Sequence, residues 1–279
     1  IQALFANTTA SNNTAVGSNS LVQNTTGTGN TAVGRETLDA NTTGNYNTGL
    51  GLNALGANTT ADSNTAVGFG ALDANTTGSN NTATGVNALG SNTTGAVNAA
   101  FGRLALSANT EGGSNTACGQ GALESNTTAS HSTAVGTNSL QSNTTGLYNT
   151  AVGSVALTSN TTGNNNIAIG YQALDSNVDG HDTVAIGKGA LQAFTGSGSV
   201  GGSVGVGRDA LYALTTGESH VAIGENAGFS VTTGNNTVSV GALALMNNTA
   251  HDNVAVGHHA LKENTSGTTN VAIGRSALD

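Results

Sequence analysis

The sequence predicts an all-β fold, an elongated parallel β-solenoid (β-roll) of about 16 coils, and three observations predict it. The 279 residues form one tandem array of a 17-residue unit with the consensus x-x-A-L-x-[AS]-N-T-T-G-x-x-N-T-A-V-G. Asn, Thr and Gly favour turns and strands over helices, and the period is too short for helix-pair repeats. The chain contains no Pro, as expected where backbone N–H groups bond from coil to coil. Each coil should contain two short strands and two turns.

The repeat indicates a single tandem-repeat domain over residues 1–279. The unit is regular over 1–187, carries a glycine-rich insertion at Gly196–Gly202 within 188–207, and is slightly irregular over 208–279. The insertion lacks the Lys and following helix of a phosphate loop, so we interpret it as a bulged loop. Because the chain begins and ends in the same phase of the unit, we expect a segment of a longer array or a unit that stacks end to end.

The apolar rows of the unit predict its core. With positions numbered from Ile1, position 4 is Leu in nearly all coils, and position 16 is mostly Val or Ile. Position 14 changes from Thr to Val or Ile along the chain, so we predict that positions 14 and 16 both point inward. Position 17 is always Gly, which indicates a turn with positive φ or a close approach of coils. The predicted structural rows include Leu4, Leu21, Leu38, Gly17 and Gly34.

Position 15 should face the opposite side of the strand from positions 14 and 16. It is almost always Ala, whereas a solvated strand face usually carries larger polar groups. We therefore expect another chain to pack closely against this row, with a plain exposed alanine row as the alternative. The candidate interchain residues include Ala15, Ala32, Ala134 and Ala151.

Position 7 is Asn in most coils but apolar in others, as at Leu214 and Val231, which predicts that it points inward. Stacked inward Asn side chains can hydrogen-bond along the solenoid, each bond contributing about 1 kcal/mol. The same residues lie in N-T-T, which matches an N-glycosylation sequon, but an inward side chain is a poor acceptor. The predicted ladder includes Asn7, Asn24, Asn41, Asn58 and Asn75.

Position 9 tolerates charge, because Glu111 and Asp179 replace its usual Thr, and so it should be exposed. This row is a candidate for glycan attachment or for contact with a partner. The alternative is that its residues only close a corner of the coil. The row includes Thr9, Thr26, Thr43, Thr60, Thr77 and Thr94.

A search for chemistry predicts no catalytic, cofactor-binding or metal-ligating residue, and therefore no enzyme. The six histidines fall at unrelated positions, and the neighbours His258 and His259 should point to opposite faces of an extended segment. Cys118 replaces the Val of position 16, so we expect it to be buried. The net charge of -9, without a Lys/Arg cluster, argues against nucleic acid, and no apolar run is long enough for a membrane span.

Two sequence strings resemble known families. V-A-I-G, as in Val184–Gly187 and Val271–Gly274, resembles the head repeats of trimeric autotransporter adhesins. The whole N-T-T-G-x-x-N-T-A-V-G unit is similar to repeats of bacteriophage tail fibres. The resemblance implies a left-handed β-roll, three chains side by side, and attachment at a cell or virion surface. The adhesin head repeat has a shorter period, which leaves the trimer open.

These observations together predict an extracellular structural or adhesive fibre module, carrying glycans on exposed Thr, at a cell or virion surface. Its expected partners are copies of itself, in a side-by-side trimer or an end-to-end polymer, and surface glycans or a host receptor. An ice-binding β-solenoid is the alternative, since such proteins also use flat faces with ranked Thr. A polysaccharide-degrading β-helix enzyme is a weaker alternative, because no coil shows a clustered acid, base or metal site.

Overall fold

A computed structural model describes residues 2–196 and 202–279, and in it the chain is a parallel β-solenoid with a 17-residue repeat. The predicted fold class is confirmed. The described residues form sixteen three-residue strands and no helix, so each coil has one strand, and the prediction of two strands per coil is wrong. Of the predicted loop at Gly196–Gly202, residues 197–201 lie outside the described residues.

The chain divides into two compact units, Ile1–Asn138 and Ser139–Asp279. The first contains β1 (Thr14–Val16), β2 (Thr31–Val33), β3 (Thr48–Leu50), β4 (Thr65–Val67), β5 (Thr82–Thr84), β6 (Ala99–Phe101), β7 (Thr116–Cys118) and β8 (Thr133–Val135). The second contains β9 (Thr150–Val152), β10 (Ile167–Ile169), β11 (Val184–Ile186), β12 (Val204–Val206), β13 (Val221–Ile223), β14 (Val238–Val240), β15 (Val254–Val256) and β16 (Val271–Ile273).

Strands within each unit pair in parallel and in chain order. In the first unit, each residue pairs with the residue 17 positions later, as in Thr14 with Thr31. In the second unit, the pairing stays in phase across the insertion, where Val184 pairs with Val204. It also stays in phase across the deletion, where Val238 pairs with Val254. The rows of the unit therefore continue in phase past both the insertion and the deletion.

The rest of each coil is not a strand because positions 2, 4 and 12 have positive φ. Asn19 has a φ of 60° and Leu21 a φ of 50°, and such left-handed residues interrupt an extended backbone. Backbone bonds between coils continue there nonetheless, since the Leu21 N–H donates to the Thr37 carbonyl at 3.1 Å. The predicted need for glycine at position 17 is confirmed, because Gly17 has a φ of 135° and lies against Gly34 of the next coil.

The interior of the coil is a column of Leu side chains flanked by small residues and amides. The Leu row at position 4 is fully buried from Leu21 to Leu245, as predicted, whereas Leu4 in the first coil is half-buried and Leu278 at the other end is exposed. The alanines of position 3, such as Ala54 and Ala71, are buried beside it.

The predicted orientation of the strand is wrong. Position 15 points inward, and Ala32, Ala134 and Ala151 are 0% exposed, with Ala15 half-buried in the first coil. Positions 14 and 16 point outward, and Val16 is 58% exposed. The Ala row is therefore part of the core of its own chain and offers no surface to another chain.

The volume of the coil explains why position 15 is small. In the third coil, position 3 is Thr37 instead of Ala, and position 15 is Gly49 instead of Ala. A Cβ on Gly49 would lie 2.5 Å from the Thr37 Cγ2 atom. In coil 14, Gly228 replaces the Leu of position 4, and position 15 is then the larger Ser239. The side chains of positions 3 and 4 face the side chain of position 15 across a narrow interior and share its volume. Only Ala or a similar small residue therefore fits at position 15 opposite Leu.

Candidate functional site

The Asn row at position 7 is a buried hydrogen-bonded ladder, as predicted. In the first unit, each Asn Nδ2 donates to the Oδ1 of the preceding Asn at 2.7–3.1 Å, as Asn41 does to Asn24. Its other hydrogen binds the carbonyl of position 10, as in the 3.1 Å bond from Asn41 to Gly44. The row is therefore structural: from Asn24 to Asn177 its amides are bonded and buried, so the N-T-T sequons there offer no accessible acceptor, whereas Asn7 in the first coil is half-buried.

A second ladder at position 13 was missed by the sequence analysis. Asn30 Nδ2 donates to the carbonyl of Gly44 in the next coil at 2.8 Å, and its Oδ1 accepts the backbone N–H of Asn47 at 2.9 Å. The carbonyl of Gly44 thus accepts one bond from each ladder. The recurrence of Asn at position 13, replaced only by Ser, Thr or His, was the available signal.

The Thr row at position 9 is exposed, as predicted. Thr9, Thr26, Thr43, Thr60, Thr77 and Thr94 all lie on the surface of the first unit. The neighbouring Thr of position 8 differs, because its hydroxyl bonds the backbone of the next coil, as Thr25 Oγ1 does to the Thr42 carbonyl at 3.0 Å. Position 8 therefore stabilises the corner, and position 9 provides a row of surface hydroxyls.

The outward strand face differs between the two units. In the first unit, position 14 carries a row of Thr, which we call the threonine strand face: Thr14, Thr31, Thr48, Thr65, Thr82, Thr116 and Thr133. In the second unit, positions 14 and 16 of β10–β16 are all Val or Ile, which we call the aliphatic strand face. Cys118 lies on the outward face of the first unit and is exposed, so the prediction that it is buried is wrong.

Several titratable side chains of the described coils lie in defined local environments. Among residues 2–196 and 202–279, no three His, Cys, Asp or Glu side chains are placed to hold a metal ion. Burial raises the pKa of Asp175 above its usual value, and Asp182 instead accepts a hydrogen bond from Asn165 at 3.0 Å. The rings of His258 and His259 stack with centroids 3.9 Å apart, so the prediction that they point to opposite faces is wrong.

His220 replaces the Asn of the second ladder and reproduces its bonds. Its Nε2 lies 2.6 Å from the carbonyl oxygen of Gly234, which can only accept, so Nε2 carries the hydrogen. Its Nδ1 then accepts from the Thr237 hydroxyl at 2.6 Å and faces the Thr237 backbone N–H at 3.4 Å. The ring is fully enclosed and neutral, and burial lowers its pKa below 6.5.

This arrangement predicts that acid destabilises the second unit. Below pH 6.5 the unfolded chain takes up a proton at His220 that the folded chain resists, so stability falls as the pH falls, by up to about 1.4 kcal/mol per pH unit. His220→Asn restores the ladder residue and removes this dependence. Urea unfolding of the wild type and of His220→Asn between pH 7 and pH 5 measures the difference in their free energies of unfolding. Both proteins contain the same carboxylates, so the effect of these groups cancels in the difference. The prediction would be contradicted if the free energy of unfolding changed with pH in the same way in the wild type and in His220→Asn.

Comparison with protein-family models and with curated proteins gives no match for this chain. Within the described residues, no helix combines the length and hydropathy needed to span a bilayer.

Proposed function

We propose that this chain is a structural or adhesive fibre module whose copies associate side by side through the aliphatic strand face. One observation carries the proposal: fourteen Val and Ile side chains point outward on seven successive strands, β10–β16. Ile169, Ile223 and Ile273 on this face are 38%, 43% and 73% exposed. Contiguous apolar surfaces of this extent mark interaction sites.

A second copy of the chain is the occupant that suits this face best. No charged side chain occurs at position 14 or 16, so the net charge of -9 is carried elsewhere and does not oppose contact here. Every copy presents the same two rows at the same coil spacing of about 4.8 Å, so that rows of two copies match along their length. This face takes the role that the sequence analysis gave to the Ala row, whether the assembly is a trimer or another side-by-side form.

An extracellular setting, at a cell or virion surface, completes the proposal. It is supported by the resemblance of V-A-I-G and of the full repeat to adhesin heads and tail fibres, and by the scarcity of charge. The exposed Thr row at position 9 is the proposed place for glycans or for contact with a host surface, because repetition multiplies weak contacts. Mass analysis of peptides that contain Thr43 and Thr60, taken from native material, tests whether these residues carry glycans. Unmodified peptides would count against glycan attachment.

The association is measured by analytical ultracentrifugation of the full chain over a range of concentrations. We expect oligomers at micromolar concentration, and at least a tenfold loss of affinity in Ile223→Asp, which places a charge in the middle of the aliphatic face. Thr216→Asp lies in the same coil at exposed position 9 and should associate like the wild type. A wild-type chain that stays monomeric at about 100 μM, or an Ile223→Asp variant that associates normally, would refute the proposal.

Ice binding is a second candidate, favoured by the outward orientation of the threonine strand face. Thr at position 14 was predicted to point inward, and these residues instead lie on the outer side of the sheet, with Thr14 and Thr48 exposed. They form an uncharged row at a coil spacing of ~4.8 Å, interrupted by Ala99 in β6. Thermal hysteresis that is lost in Thr65→Lys and kept in Thr60→Lys would support this function; the absence of hysteresis in the wild type would exclude it.

A further inference from the structure

A cleft of about 370 Å³ opens on the surface of the second unit. Its lining side chains come from positions 1, 2 and 5 in coils 11–14. Its lining residues are Gln172, Lys188, Gln192, Asp209, Tyr212 and Phe229. The volume is at the lower end of the range for small-molecule sites in proteins.

One wall of the cleft is aromatic. The rings of Tyr212 and Phe229 stack with centroids 5.1 Å apart and planes within 3° of parallel. Both occupy position 5, which elsewhere in the chain carries mixed residues such as Asp73, Ser107 and Thr158. Because one backbone bond joins Ala213 N–H to the Phe229 carbonyl at 3.1 Å, the pair sits on adjoining, bonded coils. The rings therefore present a preformed apolar surface.

The floor of the cleft depends on Gly189. This residue has a φ of 66°, and a Cβ placed on it would collide with Oδ1 of Asp209 and lie 3.6 Å from Oε1 of Gln192. A glycine here lets the carboxylate and the amide oxygen converge over the backbone. The cleft thus has two oxygen acceptors at its base beside its aromatic wall.

The polar side chains of the cleft are not used by the fold. In the described part of the chain, the side chains of Gln172, Lys188, Gln192 and Asp209 make no hydrogen bond or ion pair with other protein groups, whereas neighbouring Arg208 pairs with Glu225. This differs from the buried Asn ladders, where the side-chain amides bond within the chain, as Asn41 does to Asn24 and Gly44. Their donors and acceptors remain available to a ligand that carries hydroxyl groups.

We propose that this cleft binds a neutral saccharide. The C–H face of a sugar ring packs against aromatic carbon, and its hydroxyls suit side-chain amides, a carboxylate and an ammonium group. The charges of Lys188 and Asp209 balance each other, so an uncharged ring fits better than an acidic one. The proposal rests on the adhesive part of the proposed function, since it names where and what the module adheres to.

The test is binding of the full wild-type chain to immobilised neutral oligosaccharides of glucose, galactose, mannose and N-acetylglucosamine, followed by calorimetric titration with the strongest. We expect at least one of them to bind. Tyr212→Ala and Asp209→Ala should each weaken binding at least tenfold, and Tyr212→Phe, which keeps the ring, should retain most of it. Circular dichroism and urea unfolding verify that each variant is folded.

Two controls match the variants. Tyr148→Ala removes an exposed tyrosine outside the cleft, and Asp73→Ala removes an acid from a similar notch in the first unit that has no aromatic wall. Both should bind like the wild type. The proposal would be overturned if the chain bound none of the neutral sugars or bound only acidic ones. It would also be overturned if the folded variants Tyr212→Phe, Asp209→Ala and Tyr212→Ala all bound sugar equally well. Sedimentation of the same samples tests self-association separately. If the chain associates but binds no sugar, the saccharide proposal is refuted and the proposed self-association is not.

Discussion

Gly102→Ala is expected to destabilise the first unit by more than about 4 kcal/mol, the largest effect of any single substitution considered for this chain. Gly102 has a φ of 133°, a conformation that an L side chain rarely adopts. An added Cβ would lie 2.6 Å from the carbonyl oxygen and 2.7 Å from the carbonyl carbon of Gly119 in the next coil. Since both obstacles are backbone atoms of a hydrogen-bonded coil, neither can move without separating β6 from β7.

Urea unfolding followed by circular dichroism measures this loss, and hydrogen exchange shows whether it is centred on the coils of β6 and β7. Gly90→Ala is the matched control in the same coil. Gly90 occupies position 5, where the repeat accepts larger residues, and its Cβ would have no neighbour closer than 3.3 Å. The control should change stability by less than about 0.5 kcal/mol. Equal stability of the Gly102→Ala variant and the wild type would show that the coils are not in close contact there.

Asn92→Ala is expected to cost the first unit about 3–5 kcal/mol. Asn92 donates to Asn75 Oδ1 at 2.8 Å and accepts from Asn109 Nδ2 at 2.7 Å, and all three side chains are fully buried. Removing the amide leaves one buried acceptor and one buried donor without partners, each costing about 1–3 kcal/mol, and opens a cavity between coils. The cost comes from the two neighbours left unpaired more than from the bonds themselves.

For the same reason, we expect position 7 to tolerate a change from Asn to an apolar residue only where adjoining coils are apolar at position 7 as well. Position 7 is apolar in three consecutive coils, at Phe194, Leu214 and Val231, so each of these side chains has at least one apolar neighbour in the row. At the edge of this block, Asn177 Oδ1 accepts the N–H of Gly180 in its own coil at 3.1 Å, so the ladder ends without an orphaned oxygen. Asn92→Leu should therefore cost nearly as much as Asn92→Ala, because its neighbours remain Asn.

Differential scanning calorimetry of both Asn92 variants tests this, with Thr94→Ala as the control on the exposed row of the same coil. We expect the control to melt within about 1–2 °C of the wild type, since surface changes away from special features cost little. A mild effect of Asn92→Leu, comparable with Thr94→Ala, would mean that hydrophobic contact can replace one rung of the ladder, contrary to the prediction.

The 17-residue period, the stacking of coils in parallel register and the inward rows of Leu and Asn could all be predicted from the sequence. Each follows from local information: a fixed period demands equivalent coils, and a position that accepts Asn, Leu and Val in turn must lie away from water. The positive φ of Gly17 and its row was likewise predictable from a residue that never varies. The number of strands was not, because Leu21 is a poor candidate for a left-handed backbone by its own preferences.

What the sequence alone determined is which positions share a face: 14 and 16 on one side of the strand and 15 on the other, by the period of two. Tertiary structure alone decided which side is the interior. Leu4, Leu21 and their row, with the Asn ladders, already fill the narrow coil, so that only a side chain as small as Ala32 fits opposite them. The larger Val and Ile must then face outward, because the volume inside the coil, and not the hydrophobicity of the residue, sets the orientation.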